Sequence, residues 1–258
     1  PPRCPGRQGL RCQRVYADYR AMLDKEQLDV VSVCTPNYLH AEMAVAVAQR
    51  GVALVQEKPI ATTLAHALTI RDAVQSGGAL AMVCFTHRLY RGNMKVKQML
   101  DAGVIGEPFM IRVRFAHRGP QPGWAMSDWF YRKALAHGGA VLDMGIHAMD
   151  LARHMVGEVA RVSAVTATLR KDIEVDDNAL ATLQFASGRA LGYIEVGWTS
   201  GKGFSGFEVY GDAGSIIANY NARYVLYQGT LDPAGKAETV ETVIEADQGL
   251  SGWQLQMK

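Results

Sequence analysis

Short apolar runs alternate with amphipathic segments along the first third of the chain. The apolar runs have the length and the Val-rich composition of buried strands, and they are residues 29–34, 52–56 and 79–85. The segments around them have the apolar spacing of helices, and they are residues 18–25, 37–49 and 63–76. Strands that are separated by helices of this length predict a parallel, doubly wound sheet.

The pattern changes after Arg91. A predicted helix over residues 93–102 leads to a strand over residues 109–115, in which apolar and polar side chains alternate, and a second helix follows. The remaining chain consists mostly of strand-like runs with glycine turns between them, which is typical of an antiparallel sheet. These runs are residues 159–169, 178–185, 190–198, 207–210, 215–219 and 224–227, before a polar segment, 231–248, expected to be a loop with an edge strand. The sequence therefore predicts two domains, residues 1–90 and 91–258.

The composition narrows the class of protein. The 258 residues are 48% hydrophobic, enough for a sizeable core, and the net charge of +2 gives no electrostatic reason to bind nucleic acid or a membrane surface. No apolar run approaches the ~18 residues of a membrane span. Cys34 and Cys84 lie in apolar runs and are expected to be buried thiols, whereas Cys4 and Cys12 lack metal-ligand spacing. We expect a soluble, reduced, cytoplasmic protein without a nucleic-acid or membrane partner.

The second predicted helix of the C-terminal domain carries a stripe of carboxylates and imidazoles. Its members are Asp143, His147, Asp150 and His154. At about 100° per residue, the four side chains fall within roughly 60° of one another. The other positions are mostly apolar, so we expect a helix buried nearly all round, whose stripe faces partners or a cleft. Asp143 can orient and polarise His147 from four residues away, which suits a general acid/base.

Two other interpretations of this stripe remain open at this point. A buried Asp–His pair can lock a helix to its surroundings without doing any chemistry. Two carboxylates and two imidazoles on one face can also bind Zn²⁺ or Mn²⁺. The stripe alone does not decide among catalysis, a structural role and metal binding.

Polar segments follow two of the predicted parallel strands. Thr35-Pro36-Asn37-Tyr38-Leu39-His40 comes after the first strand, and Glu57-Lys58-Pro59 comes after the second. Ligands of open parallel sheets bind beyond the carboxyl ends of the strands, where both segments are expected. Pro59 disfavours a helical conformation for Lys58 and so keeps the lysine extended at the strand tip. Taken singly, the segments are also compatible with an ordinary strand-ending turn and with a helix cap at Asn37.

Three motifs together resemble the Gfo/Idh/MocA family of NAD(P)-dependent oxidoreductases. They are the Thr-Pro-Asn-x-x-His run, the Glu-Lys-Pro tripeptide after it, and Gly-Gly-x-x-x-Asp-x-Gly-x-His-x-x-Asp, which begins at Gly138. Asp18-Tyr19 and Gly103-Val-Ile-Gly106 are similar to the family as well, so the resemblance extends over residues 15–258. It implies an α/β fold, with an incomplete Rossmann-type parallel sheet followed by an α/β domain with a large, mainly antiparallel open sheet.

The resemblance also implies roles for particular residues. Lys58 would lie near the nicotinamide and donate a hydrogen bond to the reacting oxygen of the substrate. His147 would be the general base, and Asp143 would orient it and contact the substrate, so Lys58 and His147 are expected to meet in one cleft. The nicotinamide and ribose end of the cofactor would be lined by Thr35, Pro36, Asn37, His40, Glu57 and Lys58. Aromatic and guanidinium groups suit polyol hydroxyls, and on this ground the substrate rim is assigned to Arg88, Trp124, Trp129 and Tyr131.

The function implied by the resemblance is hydride transfer between NAD or NADP and a hydroxyl or carbonyl of a sugar, inositol or related polyol. A homo-oligomer, dimer or tetramer, is implied too, and no metal is needed. The residue types present suit this reaction. Removing a hydride from a secondary alcohol requires a base for the hydroxyl proton and a cationic donor beside the forming carbonyl oxygen. Two other functions stay open: NAD-dependent cleavage of glycosides, as in some relatives, and a cofactor-binding or inert fragment without catalysis.

One motif of the family does not occur in the sequence. This is the Gly-x-Gly-x-x-Gly loop, which holds the pyrophosphate at a helix N-terminus. We expect residues 1–14 to form neither strand nor helix, and residues 251–258 to open a further helix. On this basis we expect the chain to be an internal fragment that lacks a βα unit and a strand, on the order of 40 residues. The expected consequence is weak binding of nicotinamide cofactor by this chain alone.

Overall fold

The computed structural model describes residues 14–120, 127–201, 203–231, 237–245, 252 and 254. These residues divide into two compact units. The first unit contains residues 14–35 and 39–83, and the second contains residues 36–38 and the described residues from 84 onward. Residues 1–13 and most of 251–258, for which the sequence makes predictions, lie outside the described residues.

A three-stranded parallel sheet forms the centre of the first unit, as predicted. Its strands are β1 (Val30–Val33), β2 (Ala53–Gln56) and β3 (Ala81–Val83), in the order β1-β2-β3. The helices of this unit are α1 (Tyr19–Lys25), α2 (His40–Ala48) and α3 (Leu64–Gly77). Asp18 and Thr63 cap α1 and α3 with their side-chain oxygens, and Gly78 ends α3 at a φ of 66°. The core of this unit includes Val33, Ala44, Val47, Leu54 and Ile70.

Two predictions for the first strand are wrong. The sequence predicts a buried strand and a buried thiol after it, but Val30 is 54% exposed and Cys34 is exposed. The reason is that β1 lies at the edge of the three described strands and pairs with β2 on one side only. Cys84 is buried, as predicted.

The predicted helix over residues 37–49 forms in two parts. Asn37–Leu39 make a 3₁₀ turn, and α2 follows from His40. The residue at the N-cap position of α2 is Leu39, whose side chain makes no capping hydrogen bond. The prediction that Asn37 caps this helix is therefore wrong, because the 3₁₀ turn moves the start of the α-helix three residues along the chain.

The second unit is built on an eight-stranded sheet. Its strands are β4 (Pro108–Ala116), β5 (Val159–Ala167), β6 (Asn178–Phe185), β7 (Leu191–Gly197), β8 (Gly206–Gly211), β9 (Gly214–Asn219), β10 (Tyr224–Leu231) and β11 (Ala237–Val243). The order is β11-β10-β9-β8-β4-β7-β6-β5, and among these strands β4 and β7 alone run parallel. This confirms the predicted large, mainly antiparallel sheet and places the strand expected in the 231–248 segment at an edge.

Helices α4 (Arg91–Asp101), α5 (Lys133–Ala136) and α6 (Ile146–Met155) accompany this sheet. The apolar side chains of α6 share one core with those of β4 and β7, and this core includes Ala148, Leu151, Met155, Ile111, Val113, Phe115 and Ile194. The predicted long helix begins as a π-helical turn, Val141–Gly145, which leads directly into α6. A π turn spans more residues than an α-helical turn, so Asp143 departs from the single-face register that an ideal α-helix gives the stripe. Among the described residues, no helix is long and apolar enough to cross a membrane.

Candidate active site

The backbone after β1 and β2 joins the two polar segments of the first unit. The N–H of Glu57 donates to the carbonyl oxygen of Val33 at 3.0 Å, which continues the pairing of the two strands beyond their ends. The Glu57 carboxylate accepts from the N–H of Lys58 at 3.2 Å, and the Gln56 side chain donates to the Glu57 carbonyl at 3.3 Å. Glu57 therefore shapes the turn that presents Lys58.

Two side-chain oxygens next to this turn are buried and have no hydrogen-bond partner among the described residues. They are Oγ1 of Thr35 and Oε1 of Gln56. Buried polar atoms in folded proteins nearly always have a partner, and the exceptions often mark a ligand site. Both atoms lie at or just after the carboxyl ends of strands, where α/β sheets bind ligands. The residues present thus fit the polar end of a bound cofactor.

His40, at the start of α2, is fully buried in the first unit. Its Nδ1 lies 2.7 Å from the carbonyl oxygen of Pro59, and its Nε2 lies 2.9 Å from that of Thr35. The imidazole thus contacts the backbone of both polar segments. The family resemblance implies that His40 is a cofactor-binding residue, and the sequence gives no indication of these two contacts.

In the second unit, Asp176 holds the start of the π turn that carries Asp143. The Asp176 carboxylate accepts from the backbone N–H groups of Gly139 and Val141, each at 2.8 Å. Its backbone carbonyl accepts from the N–H of Ala140 at 2.9 Å. A carboxylate at this position satisfies N–H groups that a helix start leaves open. A Cβ on Gly139 would lie 1.9 Å from the Asp176 carbonyl oxygen, so this close approach explains one glycine of the motif.

His147 is 9% exposed and lies within a group of rings. The His87 imidazole stacks on it, with ring centroids 4.3 Å apart and an interplanar angle of 19°. Phe85 presents its ring nearly perpendicular to it, at 6.5 Å and 83°. These contacts fix the orientation of the His147 ring, as a general base requires. The sequence gives no role to His87, and its one signal there is the position directly before Arg88.

The carboxylate of Asp143 accepts a hydrogen bond from the indole Nε1–H of Trp198 at 3.2 Å. Trp198 directly follows β7 and is 1% exposed. Tyr131 packs edge-on against this indole at 6.3 Å, and its hydroxyl donates to the carbonyl oxygen of Pro120. Burial raises the pKa of Tyr131. The sequence predicts a strand that ends at Trp198 but gives the indole no role, because nothing local links it to Asp143.

The other two members of the stripe have different surroundings. Asp150 is buried and accepts a two-pronged ion pair from the Arg88 guanidinium, with Nε and Oδ2 at 2.8 Å and a second contact from Nη2. His154 is part-buried: burial lowers its pKa, and the positive charges of Arg88 and Lys97 lower it further. Asp150 thus has the contacts of a structural ion pair, whereas Asp143 contacts an indole and His147 contacts two rings.

The structure distributes the predicted site residues over the two units. The first unit holds Thr35, His40, Glu57 and Lys58, and the second holds Pro36, Asn37, Arg88, Trp129, Tyr131, Asp143 and His147. Trp124 lies outside the described residues. Trp129 stacks on Phe130 with ring centroids 3.9 Å apart. The meeting of Lys58 with His147 in one cleft stays a prediction. Among the described residues, no three His, Cys, Asp or Glu side chains come together as metal ligands.

Two family models match the chain. The model described as "GFO/IDH/MocA C-terminal domain" matches residues 93–217, and the model described as "Oxidoreductase family, NAD-binding Rossmann fold" matches residues 7–85. Together they span both units of the structure.

Curated relatives of the chain include three sugar or inositol dehydrogenases. Levoglucosan dehydrogenase of Pseudarthrobacter phenanthrenivorans is 29% identical over 80% of this chain and 59% of its own length. D-apiose dehydrogenase of Paraburkholderia graminis is 35% identical over 70% of this chain and 47% of its own length. Myo-inositol 2-dehydrogenase of Thermotoga maritima is 27% identical over 83% of this chain and 63% of its own length. The chain thus spans less than two thirds of the length of each of these relatives.

Two solved structures of similar fold are complexes with NADH. A levoglucosan dehydrogenase in complex with NADH and levoglucosan matches with a TM-score of 0.78 and 29% identity, over 89% of this chain and 64% of that one. The WlbA dehydrogenase from Bordetella pertussis, in complex with NADH and UDP-GlcNAcA, matches with a TM-score of 0.73 and 28% identity, over 79% of this chain and 59% of that one.

Proposed function

The chain belongs to the Gfo/Idh/MocA family of oxidoreductases, since models of two of its domains match, and we propose that the whole protein is a nicotinamide-dependent dehydrogenase. Its reaction is hydride transfer between NAD and a secondary hydroxyl of a sugar, inositol or related polyol. Relatives named for levoglucosan, apiose and myo-inositol support this substrate class, and relatives solved with NADH support the cofactor.

One observation carries this proposal. In the second unit a buried imidazole, His147, is held by ring contacts four positions after a carboxylate, Asp143, which an indole anchors. A hydroxyl proton needs a base of this kind, since imidazole titrates near neutral pH and the ring must face the reacting group in a fixed orientation.

Each residue then has a defined task. When bound, the nicotinamide supplies the acceptor for the hydride. His147 takes the hydroxyl proton on its ring nitrogen, and Asp143 orients the substrate and the imidazole. The Lys58 ammonium donates to the oxygen that becomes a carbonyl and stabilises the negative charge that develops there. The polar atoms of Thr35 and Gln56 bind the cofactor end, with Pro36, Asn37 and Glu57 around it.

Tyr131, Trp129, Trp124 and Arg88 are proposed to form the rim that selects the substrate. Arg88 does so through its pairing with Asp150, because its guanidinium is already engaged there. We also propose a homo-oligomer in the cytoplasm. The outer face of β5, β6 and β7 exposes the apolar side chains of Val165, Leu180 and Leu191, which a second copy would cover.

The test measures NADH binding and NADH formation with the whole protein. A panel of levoglucosan, myo-inositol, D-apiose and methyl glucoside is offered with NAD and with NADP. Lys58→Met keeps the length of the side chain and removes its charge, and Lys25→Met in the same unit is the matched control. We expect polyol-dependent NADH formation that falls by about 10²-fold or more in Lys58→Met alone. Absence of NADH binding, or equal rates in the two variants, would contradict the proposal. Glycoside cleavage without net NADH would instead identify the alternative reaction of the family.

A further inference from the structure

The imidazole of His40 occupies an unusual place in the first unit. It is fully buried, and both of its ring nitrogens lie within hydrogen-bond distance of backbone carbonyl oxygens, those of Pro59 at 2.7 Å and Thr35 at 2.9 Å. A side chain with no exposed surface and with both nitrogens engaged has no polar atom left for a ligand. Direct contact with a cofactor is therefore not the role that this geometry supports.

The two carbonyl groups belong to the two segments that the sequence singled out. Thr35 follows β1, and its buried Oγ1 has no hydrogen-bond partner among the described residues. Pro59 follows Lys58 directly, so the position of its carbonyl group is tied to that of the lysine backbone. The segments are far apart in the chain, and His40 is bound to both through one side chain.

Imidazole is suited to such a connection. Its two nitrogens are held in a rigid ring and point away from each other, so the ring sets the distance between two acceptors. The nitrogen that carries the N–H donates to its carbonyl oxygen, and the other nitrogen lies against the second carbonyl group. The ring itself starts from α2, which packs in the core of this unit through Ala44 and Val47. The connection is thus anchored to a rigid element, as precise placement of a site requires.

We propose that His40 is a positioning residue, which holds the Thr35 segment and the Lys58–Pro59 turn at the separation that cofactor and substrate require. The inference rests on the proposed function, because it assigns the task of His40 to the loops that serve the cofactor. Loss of the connection releases Lys58 from its place without removing any group that touches a ligand. Small displacements of that kind reduce turnover strongly, because catalysis depends on geometry at the ångström scale.

The experiment compares three variants of the whole protein. His40→Phe keeps a ring of similar volume and removes both nitrogens, and His40→Gln restores N–H donors on a flexible side chain. Val47→Ala is the matched control, since Val47 is buried in the same helix and contacts neither loop through a polar group. The melting temperature, the Kd for NADH, kcat, and hydrogen exchange of peptides covering residues 33–38 and 56–61 are measured for each.

We expect His40→Phe to raise the Kd for NADH and to lower kcat by about tenfold or more each, with His40→Gln between it and the wild type. The same variant should accelerate exchange in both loop peptides of the ligand-free protein. Val47→Ala should lower the melting temperature and leave these quantities within about twofold.

Equal kinetics and equal loop exchange in His40→Phe and Val47→Ala would overturn the proposal and assign His40 to core packing alone. If His40→Phe does not fold, the same comparison is made with His40→Gln. A wild-type protein that neither binds NADH nor oxidises a polyol would contradict the proposed function instead. The exchange measurement on the ligand-free protein would then still decide whether His40 holds the two loops.

Discussion

The indole of Trp198 donates a hydrogen bond to the carboxylate of Asp143 across 3.2 Å, from a position 55 residues further along the chain. The indole directly follows β7 in the core of the second unit, and the carboxylate lies on the π turn before α6. The sheet thereby determines where this carboxylate points, and through Tyr131 the contact extends to the carbonyl oxygen of Pro120.

Replacing the indole tests whether this hydrogen bond supports the reaction. Trp198→Phe keeps an aromatic ring in the core but removes the N–H, so Asp143 loses a donor that fixes its orientation. A hydrogen bond to a charged group contributes about 1.5–3 kcal/mol, and we expect kcat for polyol oxidation by the whole protein to fall by about tenfold. Phe185→Leu is the control, because Phe185 is buried in the same core and is not among the proposed site residues. An unchanged kcat in Trp198→Phe would show that the indole only fills space.

Replacing His147 tests the general base directly. His147→Ala should lower alcohol oxidation by about 10²–10⁴-fold, which is the usual contribution of a positioned base. Asp143→Asn should reduce the rate less, since Asp143 orients and does not itself take the proton. His154→Ala, on the same helix and part-buried, controls for general disturbance of α6. Steady-state kinetics check all three, and near-wild-type turnover in His147→Ala would remove this histidine from the mechanism.

Two glycines of the same motif should respond to alanine in opposite directions. A Cβ on Gly139 would lie 1.9 Å from the Asp176 carbonyl oxygen, so the backbone must move, and we expect a loss of at least about 2 kcal/mol in the free energy of unfolding. A Cβ on Gly145 would meet Val141 at an ordinary 3.5 Å, and alanine is favoured over glycine in a helix. Gly145→Ala should therefore stabilise the protein by up to about 1 kcal/mol. Chemical denaturation measures both, and equal effects would contradict the packing that is described here.

Asp177 should make the stability of the protein depend on pH. This residue is buried, lies directly before β6 and holds a turn. Burial alone would raise its pKa, but backbone N–H groups and the neighbouring amide outweigh burial and leave the pKa below its usual value. The donors are the N–H groups of Leu169, Arg170 and Lys171 and the side chain of Asn178. Because the folded-state pKa is lowered, this stabilisation is present above the unfolded pKa and is lost as the pH falls through the folded value.

Asp177→Asn should reduce the free energy of unfolding by about 1–3 kcal/mol at pH 7, because an amide cannot accept all of these hydrogen bonds. The difference from wild type should shrink as the pH falls below about 4, where this carboxylate begins to be protonated in the unfolded chain, and further as the pH falls through the lower folded-state pKa. Asp172→Asn, at an exposed position in the same turn, should have little effect. A difference that stays constant with pH would indicate that shape, and not charge, is what Asp177 contributes.

The elements and the class of the fold could be predicted from the order of residues along the chain. The parallel unit, the later antiparallel strands and the helix with Asp143 and His147 follow from apolar periodicity and glycine spacing. Both signals are local, since each strand or helix has its own spacing of apolar and polar residues within a short stretch of sequence. The candidate chemistry at Lys58, Asp143 and His147 was visible for the same reason, as motifs within short segments.

The partner of each polar group and the strand that lies at an edge became known from the three-dimensional fold. Cys34 is exposed because β1 has one described neighbour, and no residue near it in the chain carries that information. Trp198 reaches Asp143, Arg88 reaches Asp150 and His40 reaches Pro59 because strand order and helix packing bring distant segments together. A hydrogen bond or a stacked ring requires atoms within a few ångströms of each other. Sequence periodicity indicates which face of its own helix or strand a side chain occupies, but it does not indicate which other element that face meets.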